Sequence, residues 1–113
     1  MRVYVSGPMT GKPELNFPAF HTASAWLRAK GLQVVNPAEL TTNPDATWEE
    51  CMRVDLQALC TCHAIALLPG WEASKGAQLE LHVAERLKMT VWKLPGAVLD
   101  PDLSGAVSLP IAA

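Results

Sequence analysis

No apolar run in this 113-residue chain approaches the ~20 residues that a helix needs to cross a bilayer, so no membrane-spanning segment is expected. Excess positive charge is also missing. Lys and Arg number 9 against 11 Asp and Glu, for a net charge of -2, and the basic residues are scattered rather than gathered on one stripe. The electrostatic footprint of a nucleic-acid binder is therefore lacking, and a small molecule is the expected partner instead of a polymer. Cysteine is scarce and odd in number. Cys51, Cys60 and Cys62 cannot pair off, and two of them stand too close for an easy bridge, so no disulfide framework is expected. The run Cys60-Thr61-Cys62-His63 has no second Cys/His pair at finger-like spacing, so no metal site is expected; the thiols read as small buried hydrophobes at a helix end. The start MRVYVSGP enters a strand-like pattern without the long apolar region of a signal peptide, which with reduced thiols gives a cytoplasmic location as the expectation.

Half of the residues are apolar, enough for a single shared core in a chain of this length. Arg2–Ser6 is β-branched and aromatic and stops at Gly7-Pro8, which reads as a first strand. Asn16 before Phe17-Pro18 reads as an N-cap with proline in the first turn. Phe20, Ala23, Ser24 and Leu27 then keep helical spacing to Lys30, and Gly31 closes the helix. Leu32–Pro37 resumes as a strand. After a Thr, Asn and Pro-rich loop, Thr47-x-x-Glu50 is a capping-box signature for a second helix starting at Trp48. His63–Gly70 is the continuous apolar run of a strand covered on both faces. Ser74 caps a third helix to about Lys88, and Thr90–Pro95 is the fourth strand.

Strands alternating with helices imply right-handed crossovers and a parallel sheet covered on both faces: a small doubly wound, flavodoxin- or Rossmann-like α/β domain of four to five strands over residues 1–95. Residues 96–113 show no periodicity and read as an irregular C-terminal tail or a subunit-packing arm. In such sheets ligands bind beyond the carboxyl ends of the strands, where the strand order reverses. That gathers Ser6, Gly7, Pro8, Met9 and Thr10 after the first strand, Asn36-Pro37 after the second, and Gly70, Trp71 and Ser74 after the third.

Two carboxylates interrupt apolar stripes. From Trp48, the inward positions are Cys51, Met52, Asp55, Leu56 and Leu59; in the third helix Glu80 shares a face with Ala77 and Ala84, beside the space left by Gly76. A buried unpaired carboxylate is costly, so Asp55 and Glu80 need a reason. Either they converge on a cleft as a nucleophile and a proton-handling partner, or they are half-exposed or paired as scaffolding. The first loop, GPMTGKP, is not a Walker motif, since Gly7 and Gly11 are one residue too close and Pro13 replaces the hydroxyl. It is either an anion-binding turn helped by Ser6, Thr10 and Lys12 or a plain tight turn. Trp71 either stacks on a ligand ring or covers the sheet edge. His63 and His82 fall outside these loops and read as packing or surface residues, and Lys75 as a solvated first-turn residue.

Taken together, Tyr4-x-x-Gly7-Pro8, Asp55, and Ser74-x-Gly76-Ala77-x-x-Glu80 resemble the nucleoside 2-deoxyribosyltransferase superfamily and its nucleotide-hydrolysing relatives. The stretches SGPMTG, NFPAF, VVNPAE and LLPGWEASKGAQLE are more closely similar to an uncharacterised, often phage-associated branch of it, the DUF4406-like proteins; the resemblance covers residues 2 to about 93. It implies cleavage or exchange of the N-glycosidic bond of 2′-deoxynucleosides or their monophosphates, with Glu80 as the nucleophile, Asp55 handling a proton or binding the sugar, and Tyr4 orienting Glu80. It implies no cofactor and a homo-oligomer. Many of the transferases carry Asp where Ser74 stands, whereas serine there resembles hydrolases that direct it toward phosphate. They also borrow an Asn from a neighbouring subunit's C-terminal segment, and no Asn follows Asn43. The alternative expectation is a nucleotide-binding or sensor module that keeps the pocket without turnover; a third is a structural domain.

Overall fold

The computed structural model describes residues 1–40 and 43–109. Strand β1 (Arg2–Ser6) leads through a loop to helix α1 (Phe17–Ala29), then β2 (Gln33–Val35), α2 (Trp48–Leu59), β3 (Ala64–Leu67), α3 (Lys75–Arg86) and β4 (Thr90–Lys93). The four strands form one all-parallel sheet in the order β2-β1-β3-β4. The domain is thus the doubly wound α/β architecture that the alternation of patterns implies, at the lower end of the expected strand count.

The pleat distributes the side chains. Val3, Val5, Ala64 and Ala66 point to the α1 side, where they pack with Phe20, Ala23 and Leu27. Tyr4, Ile65 and Leu67 point to the other side, against Leu59 of α2 and Ala84 of α3. Both central strands are buried on both faces, which is why β3 reads as an unbroken apolar run. No helix among the described residues is long and apolar enough to cross a membrane.

Local chemistry explains where elements begin and end. The Thr47 hydroxyl accepts from the Glu50 N–H at 3.1 Å, starting α2, and Ser74 Oγ accepts from the Ala77 N–H at 3.1 Å, starting α3. Gly31, at φ +87°, closes α1 by donating its N–H to the Arg28 carbonyl. Asn16 departs from the sequence expectation. It sits in the left-handed region without a side-chain cap bond, and its Nδ2 donates instead to the Pro8 carbonyl at 2.9 Å, tying the start of α1 to the loop after β1. Helix α3 ends at Arg86, and β2 is shorter than read because Pro37 opens a 3-10 turn capped by Asn36.

The segment after Pro95, expected as an irregular tail or a subunit-packing arm, packs on its own domain over the described residues. Two 3-10 turns, Gly96–Leu99 and Ser104–Ala106, fold it back on α1. Val98 is 1% exposed within the α1-side core, and Trp26 Nε1 donates to the Ser104 carbonyl at 3.0 Å. A handful of well-placed apolar residues suffices to dock a segment that has no period of its own. Residues 110–113 of the expected arm lie outside the described residues.

In this strand order the chain passes from β1 outward to β2 and then crosses back to β3. Loops leaving β1 and β3 therefore run in opposite directions, and a crevice opens between them at the carboxyl ends of the strands.

Candidate active site

A cavity of about 830 Å³ occupies that crevice. Gly7, Pro8, Met9 and Thr10 form one wall; Gly70, Ser74, Lys75 and Gly76 form another; Trp48, Met52 and Asp55 of α2 form a third; and Glu80 lies at its floor. A smaller space of about 350 Å³ adjoins it and shares Met9, Leu15, Pro37, Cys51 and Asp55.

Tight packing holds the first wall in place. A Cβ on Gly7 would lie 2.7 Å from the Leu68 Cβ, so only glycine lets the loop after β1 pass this close to the end of β3. Gly70 takes φ +89°, which L side chains rarely adopt, and turns the chain from β3 into a 3-10 turn over Trp71–Ala73. At Gly76 a Cβ would come within 3.3 Å of Met52 Sδ and 3.7 Å of Trp48 Nε1, so the start of α3 lies directly against α2.

Glu80 is 5% exposed and forms no ion pair among the described residues. Two hydroxyls from β1 hold it instead. The Tyr4 hydroxyl donates to Oε2, and Ser6 Oγ donates to Oε1 at 2.7 Å. Tyr4 and Ser6 are alternate residues of one strand, so their side chains share the face on which α3 packs. Burial pushes Glu80 up to about 7 and the Asp55 charge adds to that rise, while the two hydroxyl bonds, which favour the ionised form, pull it back. Burial likewise raises Asp55 to about 6. Asp55 is 8% exposed, and its Oδ1 has no hydrogen-bond partner among the described residues. Burial, reinforced by Glu80, holds the Tyr4 phenol well above its usual range, so it remains a donor at neutral pH.

Two carboxyl groups that titrate near neutrality thus meet at one cavity, with a fixed hydroxyl pair behind one and a free acceptor on the other. Neither carboxylate is half-exposed or paired with an arginine among the described residues; Glu80 is held by two hydroxyls. Gly7, Pro8, Met9, Thr10, Gly70, Ser74 and Gly76 line the cavity as the sequence suggested. Ser6 is fully buried behind Glu80 and serves that carboxylate, rather than facing the cavity as an anion ligand.

Of the two roles expected of Trp71, the structure places it in that of covering the sheet. The turn after Gly70 swings its ring onto the cluster under α2 and α3, with Lys93 Nζ 5.6 Å from the ring centroid, and it does not line the cavity. Trp48 takes its place in the wall. Lys75 Nζ lies 4.6 Å from the centroid of the Trp48 ring, so the lysine expected to be merely solvated is also a wall residue. Trp48 marks the start of α2 in the sequence, but only the approach of α2 to α3 at Gly76 brings its ring to the cavity. His63 lies at the opposite end of the sheet, its Nδ1 accepting from the Arg2 N–H at 3.0 Å, and His82 is exposed on α3. Among the described residues, no group of three or more His, Cys, Asp or Glu side chains is placed to hold a metal ion.

No curated protein matches the chain. The family model described as a domain of unknown function, DUF4406, matches residues 1–93, which span all four strands, all three helices and every side chain of the cavity, and the chain belongs to that family.

Proposed function

We propose that the protein cleaves or exchanges the N-glycosidic bond of 2′-deoxynucleosides or deoxynucleoside monophosphates through a covalent deoxyribosyl-Glu80 intermediate. The observation that carries this reading is Glu80 itself: a buried carboxyl without a cation, aligned by Tyr4 and Ser6, at the floor of a cavity that Asp55 shares. A carboxylate kept only for stability would be better paired, because burying it costs several kcal/mol when nothing offsets the charge.

In the first step the ionised Glu80 bonds to the anomeric carbon as the carbon–nitrogen bond breaks, and the electron pair of that bond leaves with the base. Asp55 in its protonated form gives the departing nitrogen its proton. A second base displaces Glu80 in exchange; water does so in hydrolysis, with Asp55 taking the proton back. The Tyr4 and Ser6 hydroxyls stabilise the charged nucleophile before attack and after release. No cofactor enters these steps. The same reading describes a cytoplasmic homo-oligomer acting on a small nucleoside or nucleotide.

The test is to incubate the protein with deoxynucleosides and their monophosphates, with and without acceptor bases, and to measure free base. Base release should fall by about a thousandfold or more in Glu80→Ala, and rapid quenching should trap a peptide containing Glu80 that carries one deoxyribosyl group. Binding that raises the melting temperature without release in the native protein would replace this reading with that of a nucleotide-binding module.

A further inference from the structure

The wall formed by Trp48 and Lys75 is not used by the chemistry above. Both side chains line the cavity, and the ammonium of Lys75 is parked 4.6 Å from the centre of the indole ring. Among the described residues Lys75 forms no ion pair, so the ring is its specific neighbour. The lysine also stands in the first turn of α3, where the helix dipole disfavours a cation. The dipole opposes the charge at that position, and a cation–π contact at a partly exposed ring contributes only a weak attraction. The charged groups on the cavity wall are divided by depth: Lys12, Lys75 and Glu49 lie on exposed rim residues, while Asp55 and Glu80 lie buried below.

We infer that Trp48 is the stacking surface for the ligand's base and that Lys75, which lies over this surface, is drawn off it by an anionic group on the ligand. The indole face and the ammonium satisfy each other until a ligand supplies both a flat ring for the one and an anion for the other. A ring compound without an anion must displace the lysine into water; a ring compound with one gives it a stronger partner. The site accordingly selects nucleoside monophosphates over nucleosides. This rests on the glycosidic reading for the identity of the substrate, but the wall itself makes a separate claim about binding.

Calorimetric titration with deoxyadenosine, its 5′-monophosphate, adenosine and adenosine 5′-monophosphate separates the two. The proteins are the native chain, Trp48→Leu, Trp48→Phe and Lys75→Met, each first checked for an intact thermal transition. Trp48→Leu should weaken both monophosphates roughly tenfold, with Trp48→Phe restoring most of the loss. Lys75→Met should lower monophosphate affinity by a similar factor while leaving nucleoside affinity unchanged, because it removes the charge and keeps a flexible side chain of similar length. In turnover of the deoxynucleotide the losses should fall on KM with kcat largely retained. Equal weakening of nucleosides and monophosphates by Lys75→Met, or no effect of Trp48→Leu, would overturn the inference. Base release that persists with either of these results would leave the glycosidic reading standing. Tight monophosphate binding that depends on both residues, without base release, would sustain the inference and remove that reading; the absence of binding by all four compounds would overturn both.

Discussion

Glu80 sets the behaviour of the protein at the scale of single residues. Catalysis through the proposed steps needs Glu80 ionised and Asp55 protonated, yet burial places Glu80 near 7 and Asp55 near 6. The productive pairing is thus the minority form, and the rate should peak at about pH 6.5, falling on either side, as a pH profile of kcat/KM will read. Removing the Tyr4 hydroxyl takes away a bond that favours ionised Glu80, so the productive pairing becomes rarer: Tyr4→Phe should move the alkaline limb of that profile up by about one unit, leave the acidic limb in place, and lower the maximum roughly tenfold.

The same carboxyl groups burden the fold. Both have native pKa values above their ordinary 4.5 and 3.8, so the native state holds more protons than the unfolded chain between those values and about 7. The contribution of these two groups to stability is then greatest at acidic pH, below the unfolded values, and is lost as pH rises through the native ones. Glu80→Gln removes the largest part of this dependence. Its melting temperature should exceed that of the native protein by several degrees at pH 8 and differ little at pH 5, while base release is lost. Differential scanning calorimetry at the two pH values checks the sign.

At the scale of elements, two glycines in the cavity wall make opposite demands. In Gly7→Ala the new methyl group meets the Leu68 Cβ, a rigid neighbour at 2.7 Å, so β1 and β3 must separate or the loop must lift. A loss of about 1–3 kcal/mol is expected, with impaired activity. In Gly76→Ala the contact is with Met52 Sδ at 3.3 Å, at the end of a flexible side chain, and alanine favours helix by about 1 kcal/mol over glycine. That variant should be close to native in urea denaturation, which makes the pair a direct test of where the wall is stiff.

Elements were also what the sequence displayed best. The cap residues Thr47 and Ser74, the closing Gly31, and the inward positions of Asp55 and Glu80 are local signals, and each depends on neighbours within a turn or two. Trp71 keeps two readings in the sequence, and Asn16 departs from its expected cap, because their orientation follows from left-handed residues and 3-10 turns, where no period fixes the direction of a side chain. The meeting of Trp48 and Lys75 at the cavity is hidden in the sequence for a different reason. Their meeting depends on how closely α2 approaches α3, and that distance is set by the tertiary fit of Gly76 against Met52.

For the molecule as a whole, the family match ends at residue 93, while the fold continues to Leu109. Leu94 and Val98 complete the core on the α1 side. A chain ending at Pro95 should therefore keep the cavity residues but expose the outer face of α1, with a lower melting temperature and increased binding of a hydrophobic dye. An unchanged melting temperature would mean that the last turns are a passenger.

The pleat of β1 carries a consequence for how this protein can change. Its odd residues, Val3 and Val5, fill hydrocarbon on one side, and its even residues, Tyr4 and Ser6, supply hydroxyls on the other. Saturation mutagenesis along this strand should therefore show a two-beat rhythm, with abundance lost at one parity and turnover lost at the other. Deleting a single residue would exchange the two roles wholesale, so the strand can drift by substitution but not by length.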